Sequence, residues 1–384
     1  MKVSFSFIAI LLFLVSFARM TPAQPIISSG PSGAKLSNSN PTDSIKSSWA
    51  RFYFGGDLTL ESKTIYQQMR FGQLSFNQEL QLYINALIDN HLGASIKLDH
   101  YGGWGQYSAY PMNSPLQLDE AVLRWNYPTF QSSIGRFHFS PSPLGLISDF
   151  TVVPIEGAII QKSYGNFHAI GLYSRVYTIL GADTGTVETA DDYWAFRCGW
   201  SNRNSVYGFN WAPNGIAGET SFSVDWSYEW PDQKIALEAA WRSFTAANSQ
   251  LNVIRAPGLL ASYGKVTHNN YYQMKVGYFA KNFEPQYSSL AHISGDNREW
   301  FVPNSQGVEF FLKNQIKPGW FWENRFLIYQ PVVEYGATTL NYRLASAVIK
   351  NFSPLNQLKF GCDVKQDYAG VDGTHFFLVW SLRF

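Results

Sequence analysis

The sequence predicts an all-β fold: a transmembrane antiparallel β-barrel of about 16–18 strands, 18 preferred, with short periplasmic turns and long extracellular loops. Three observations predict it. Charged residues make up only 15% of the chain beside 17% aromatics, against roughly 25% charged in ordinary soluble domains. Segments of about ten residues with period-two alternation follow one another from Trp49 to the end, the per-segment signature of a barrel wall. The connections between them alternate between short and long.

The N-terminal stretch sets Lys2 before an apolar run from Phe5 to Phe17 and a small-residue exit, Thr21-Pro22-Ala23. These are the three regions of a secretory signal peptide, and the run is shorter than the ~20 residues a spanning helix needs. Residues 1–23 are expected to be a cleaved signal, with cleavage after Ala23. Residues 24–48 are rich in Ser, Pro, Gly and Asn and read as a flexible periplasmic leader. The barrel domain is expected over residues 49–384. No later apolar run approaches 18 residues, so a membrane would be crossed by strands.

The strand segments carry one apolar and one polar row. In TSFSVDWSYEW the apolar row is Phe222, Val224, Trp226, Tyr228 and Trp230, against Ser221, Ser223, Asp225, Ser227 and Glu229. LSFNQELQLYIN sets Leu74, Phe76, Leu80, Leu82 and Ile84 against Ser75, Asn77, Glu79 and Gln81, and NQLKFGCDVKQD repeats the scheme. A helix would need apolar spacings of three and four. Turns are expected at 88–90, 127–129, 201–204, 231–233, 268–270, 317–319 and 353–356. The segments Ile155–Lys162 and Ser205–Trp211 alternate most weakly, which keeps sixteen strands open. A secreted soluble β-sandwich also alternates, but Trp, Tyr or Phe near the ends of nearly every segment fits girdles at two bilayer interfaces.

The closing segment GTHFFLVWSLRF places Phe376, Leu378, Trp380, Leu382 and Phe384 in one row. It resembles the C-terminal signal of Gram-negative outer-membrane proteins, which implies the barrel-assembly machinery as a partner. Phe377 and Val379 depart from a polar inward row. The segment QSSIGRFHFSPSPLGLISDF, residues 131–150, is similar to the part of general porins where the third long loop leaves the wall and enters the pore. That loop is expected at 140–154. The resemblance is to Gram-negative outer-membrane porins, with no subfamily assigned. It implies a bacterial outer-membrane location, surrounding outer-membrane lipid, a homotrimer, and a water-filled channel for passive diffusion of small hydrophilic solutes and ions.

The residues point away from other chemistry. The seven histidines are scattered, and neither GxSxG nor HExxH occurs, so no catalytic site, metal or cofactor is expected. Asp191-Asp192 reads as a solvated loop pair. A net charge of +1 offers no surface for nucleic acid. Cys198 and Cys362 fall on outward rows of distant strands, too far apart to bridge. The inward rows carry charges of both signs, which imply an open lumen crossed by a transverse field. The pore-constriction candidates are the loop acid Asp149 and the wall bases Arg124, Arg136 and Arg175. A substrate-selective sugar or anion channel and a non-conducting anchor or adhesin are the alternatives.

Overall fold

The structure is a computed structural model that describes residues 44–46, 51–67, 70–72, 74–104, 115–148, 150–179, 187–213, 219–245, 253–283, 304–332, 340–367 and 370–384. The segment expected as a signal and most of the one expected as a leader lie outside the described residues. Eighteen strands form the wall: β1 (Arg51–Gln67), β2 (Ser75–Leu87), β3 (Leu92–Trp104), β4 (Gln117–Tyr127), β5 (Phe130–Phe139), β6 (Phe150–Tyr164), β7 (Phe167–Ile179), β8 (Val187–Asn202), β9 (Ser205–Ala212), β10 (Thr220–Glu229), β11 (Gln233–Thr245), β12 (Val253–Val266), β13 (Asn270–Phe279), β14 (Ser305–Lys317), β15 (Trp320–Pro331), β16 (Asn341–Ser353), β17 (Asn356–Asp367) and β18 (Gly370–Arg383). Each pairs antiparallel with its chain neighbours, and β1 pairs with β18 from Asp57↔Arg383 to Tyr66↔Thr374, so the sheet closes on itself. Closure removes the unpaired edge that hydrocarbon would not tolerate.

Ser44–Lys46, inside the stretch expected to be flexible leader, is a short strand laid on the start of β1 through Ser44↔Tyr53 and Lys46↔Arg51. The weakly alternating segments 155–162 and 205–211 are wall strands β6 and β9, which settles the count at eighteen. The expected turns lie where strands meet, and Gly165-Asn166 adds one the pattern does not signal; Gly165 takes φ +56 there, which a glycine adopts without steric cost.

The wall is inside-out relative to a soluble protein. In β10, Phe222 and Val224 are exposed while Ser221, Ser223 and Asp225 are buried. Outward aromatics form a belt on one half of the barrel: Tyr173 meets Trp194 at 4.5 Å, Phe196 meets Trp211 at 5.8 Å, and Phe222 stacks on Trp241 at 5.3 Å between centroids. Nearer the short turns, Tyr228 packs with Trp230 at 3.8 Å and Tyr127 stacks on His91 at 4.4 Å. Two aromatic levels separated by an apolar band match a bilayer's two interfaces. Cys198 and Cys362 are free.

The seam depends on the final residue. Phe384 and Gly56 exchange both backbone hydrogen bonds at 2.9 Å, and the Phe384 ring lies over Gly56: a Cβ there would sit 2.6 Å from Cζ and 2.7 Å from the Gln81 carbonyl oxygen. The outward row Phe376, Leu378, Trp380, Leu382 and Phe384 faces away from the lumen, opposite the buried Phe377. Phe377 fits indoors because Gly361 leaves room for its ring, with a would-be Cβ only 2.7 Å from Cζ, and the Lys359 ammonium lies 5.9 Å from the ring centroid. Replacing Gly56 with Ala is expected to lower stability by about 1–3 kcal/mol through overpacking at the seam. Urea titration of the heat-modifiable folded band in detergent measures it, and an unshifted midpoint would remove the seam from the account.

Candidate functional site: the lumen and its inward loop

The third outer connection runs from Ser140 to residue 149, and the chain resumes as strand at Phe150. Phe150 to Pro154, expected as loop, therefore belong to β6. The connection does fold inward. Gly145, at φ +74, turns the backbone, and its N–H donates to the Ser142 carbonyl at 3.3 Å. Beyond that turn the segment reaches the opposite side of the barrel. Leu146 is buried against Ala240, Leu260, Phe279 and Leu327 of β11, β12, β13 and β15, with Leu144 packed on the same cluster. The Leu144 N–H donates to Glu238 Oε2 at 3.0 Å. The near end is held as firmly: Ile147 is buried among Phe137, Ile155, Leu172 and Tyr193, and the Ser148 and Tyr193 hydroxyls are hydrogen-bonded.

The strut thus spans the lumen between two apolar patches. Each patch belongs to an inward row, which explains why β5 to β7 mislead on parity. Phe137, Ile155, Ile159, Ile170 and Leu172 look like lipid-facing residues in sequence, but they are buried inside under Ile147. The residues of the other parity on the same strands, Ile134 and Ile160, are exposed outside.

That parity relocates two constriction candidates. Arg136 pairs in register with Glu156, and Arg175 with both Glu156 and Asp192; all four share the outward face with Ile134, Ile160, Tyr173 and Trp194. Arg136 and Arg175 therefore do not line the lumen. Arg124 does, and its guanidinium donates to Glu120 at 2.9 Å and to Ser95 at 2.6 Å. Asp149 lies outside the described residues. Asp192 is in strand β8, 3.7 Å from Arg175, rather than in a loop.

The inward charges are paired with neighbours instead of facing each other across the pore. Arg197 makes a bidentate contact to Asp225 at 2.5 and 2.9 Å and a further bond to Asn210 at 2.7 Å. Asn210 donates to Ser223, and Ser223 donates to Glu238 at 2.8 Å. The network thereby runs on to the carboxylate that holds the strut. Elsewhere Lys97 meets Asp119 at 2.8 Å, Arg242 meets Glu219 at 2.5 Å, Arg343 meets Asp363 at 2.7 Å and Lys359 meets Glu323 at 2.6 Å. Asp119 reaches Lys97 because a bulge in β4 displaces it from the regular ladder.

The two halves of the lumen differ in openness. From β8 to β11 the polar groups are sealed: Asn210, Ser223 and Glu238 have no exposed surface. From β17 round to β4 several inward groups stay partly exposed, among them Lys359, Glu79, Tyr83, Lys97 and Arg124, beside the buried Asn77, Asp99 and Asp363. The Tyr83 hydroxyl lies 2.5 Å from Asp57 Oδ2 and 2.7 Å from Gln81 Oε1, and Tyr101 donates to Asp99 at 2.9 Å. This arc is a wall of hydroxyls, amides and neutralised charge. Sequence reasoning missed Glu238 as the strut's anchor, because the contact joins residues 94 apart in sequence.

A closed antiparallel barrel of eighteen strands, with a lipid-facing apolar surface and a loop folded into a polar lumen, is the porin type of outer-membrane fold. Solved structures from Pseudomonas aeruginosa share it. OccK5 (OpdH) matches with a TM-score of 0.63 at 10% identity, covering 86% of this chain and 98% of its own. The outer membrane protein OpdK gives 0.63 at 10% identity over the same shares, and OccK2 (OpdF), solved in complex with glucuronate, gives 0.61 at 8% over 87% of this chain and 98% of its own. At such identities the likeness is one of fold. No protein-family model matches the chain, and no curated protein sequence does.

Removing the Asp225 carboxylate leaves the Arg197 guanidinium buried without its counter-charge. Asp225→Ala is expected to destabilise the folded barrel by about 3–5 kcal/mol, read as a fall in the urea midpoint. Wild-type stability in this variant would mean that the network is not structural.

Proposed function

We propose that the chain is an outer-membrane channel for small hydrophilic solutes, with a lumen narrowed toward selectivity for uncharged or zwitterionic molecules rather than a wide general-diffusion pore. The carrying observation is the strut of residues 140–148, pinned at the far wall by Leu146 and the Leu144–Glu238 bond. It leaves the arc from β17 to β4 as the side along which a solute can move. On that arc acids and bases neutralise each other within about one hydrogen bond's length, so little net field remains to favour one ion sign. Hydroxyl and amide groups such as Tyr83 and Gln81 are suited to exchanging hydrogen bonds with a polar solute.

OccK2 was solved with glucuronate and OpdK with vanillate. An anionic solute in this chain would meet interleaved carboxylates, which supports the neutral class over the anionic one. The same reading takes residues 1–23 as the export signal and the closing strand as the element read by the barrel-assembly machinery.

Single-channel recording in planar bilayers tests it. Wild-type protein is expected to conduct, with a reversal potential near zero in a salt gradient. Leu146→Asp, which places a carboxylate in the apolar contact at a cost of several kcal/mol, is expected to free the strut and raise the conductance. A folded barrel without conductance would instead favour the anchor or adhesin reading. A strong ion preference would reject the neutral-solute class.

A further inference from the structure

At the short turn between β14 and β15, two lysines converge on one indole. Trp320 is the register partner of Lys317 on one side and of Lys350 on the other. The ladder shifts between Gln315 and Lys317, and such a bulge re-aims the side chain beside it, here onto the face of Trp320. That face is the outer one, since Trp322 and Val348, next on the same rows, are exposed. The Lys317 Nζ lies 4.8 Å from the Trp320 ring centroid and the Lys350 Nζ 5.0 Å from it. A Cβ on Gly319, in the turn, would stand 3.5 Å from the Lys350 Nζ, which puts that ammonium at the very rim of the wall. An aromatic face attracts a cation, but it does not cancel the charge. Among the described residues neither lysine has an acidic partner, and the outward groups around them are Asn314, Ile316, Trp322, Val348, Phe352 and Leu358. Glu323, the acid of β15, points into the lumen, where it meets Lys359 at 2.6 Å.

Two like charges gathered beside one ring repel, and an anion lodged between them relieves both. Their surroundings select which anion. The lysines stand where the strands end, and on the same face the exposed apolar surface of Trp322, Val348 and Leu344 begins directly beyond them. A molecule with a phosphate at one end and acyl chains at the other covers both parts. Free phosphate would use only the lysines, and an acidic peptide would leave the apolar part bare. Lysines and aromatics are common at bilayer interfaces, so the convergence, rather than the residue types, carries the argument. Lys162, an outward lysine at another short turn, has Phe130 and Ala169 as its register partners and no second lysine in its row. We propose that Lys317, Lys350 and Trp320 form a binding site for the phosphate of an anionic phospholipid in the leaflet on the short-turn side, with its chains laid along Trp322 and Val348. Anionic headgroups are drawn to basic groups placed this way. The inference stands apart from the channel reading.

The test uses the full chain folded in mild detergent, with heat-modifiable migration to confirm folding and native mass spectrometry to count bound lipid. Phosphatidylglycerol is titrated against phosphatidylcholine of the same acyl chains. Wild type is expected to hold one phosphatidylglycerol at least about tenfold more tightly than the zwitterionic lipid, as two lysines beside one phosphate imply. Lys317→Gln and Lys350→Gln are each expected to weaken that binding about fivefold, while Lys162→Gln leaves it unchanged. Lys317→Arg and Lys350→Arg keep the charge and should bind as wild type does, which separates charge from packing on Trp320. Equal affinity for the two lipids, unchanged binding in both glutamine variants, an equal loss in Lys162→Gln, or a loss in the arginine variants as large as in the glutamine ones would overturn the proposal. Two competitors separate the other sources of negative charge. Displacement of the lipid by an equal concentration of inorganic phosphate would make this a free-anion site, and displacement by an equal concentration of an oligoglutamate peptide would make it a site for an acidic protein; either result overturns the lipid assignment. Single-channel conductance should be the same in wild type and variants, which keeps the outcome separate from that of the channel reading.

Discussion

Everything in this molecule depends on the pairing of its last strand with its first. In a hydrocarbon medium a backbone N–H or C=O cannot turn to water, so a sheet is tolerable there only when it has no edge. The ladder between β1 and β18, finished by the reciprocal bonds of Gly56 and Phe384, makes eighteen amphipathic ribbons into one surface. Without it, no strand has a suitable environment on both faces. Gly56 and Gly361 serve the same end on opposite faces of the wall, each giving an aromatic ring of the final strand a place to lie.

Closure creates an interior, and the interior is filled by a principle opposite to that of a soluble core. The inward surface is largely polar and satisfies itself through ladders such as Arg197–Asp225–Asn210–Ser223–Glu238. Two apolar patches interrupt it, and the strut is the element that buries both. Its middle is short, yet it brings together the inward faces of β5–β8 and β11–β16. The polar network and the apolar contacts meet at one carboxylate, Glu238, which accepts from Ser223 on one side and from the strut backbone on the other. The resulting asymmetry, one sealed half and one partly open, comes from the side on which the strut lands.

Strands were legible in the sequence because period two is a local property: the rows of β10, β2 and β17 can be read from ten residues each. The inward loop was legible through its proline and glycine content and its position as third outer connection. Which row faces inward was harder to read where both rows are mixed. Across β5 to β7 the greasier row points indoors, since Ile147, distant in the fold's logic though near in sequence, covers it. Arg136 and Arg175 were assigned to the lumen on the assumption that charge avoids lipid. The partners of the inward charges were equally hidden, because register sets them: Arg197 and Asp225 lie 28 residues apart on strands that are not even adjacent.

The two thiols have a practical consequence. Cys198 is exposed on the outward row of β8 with Trp194, Phe196 and Trp200, and Cys362 shares its outward row with the exposed Phe360. Neither opens to the lumen, so the aqueous interior holds no native thiol among the described residues. A cysteine introduced on the arc from β17 to β4 would be the one that a membrane-impermeant maleimide reaches from water, against a background already silent by geometry. The path of a solute through this wall can therefore be mapped position by position in the native chain, without first removing either cysteine.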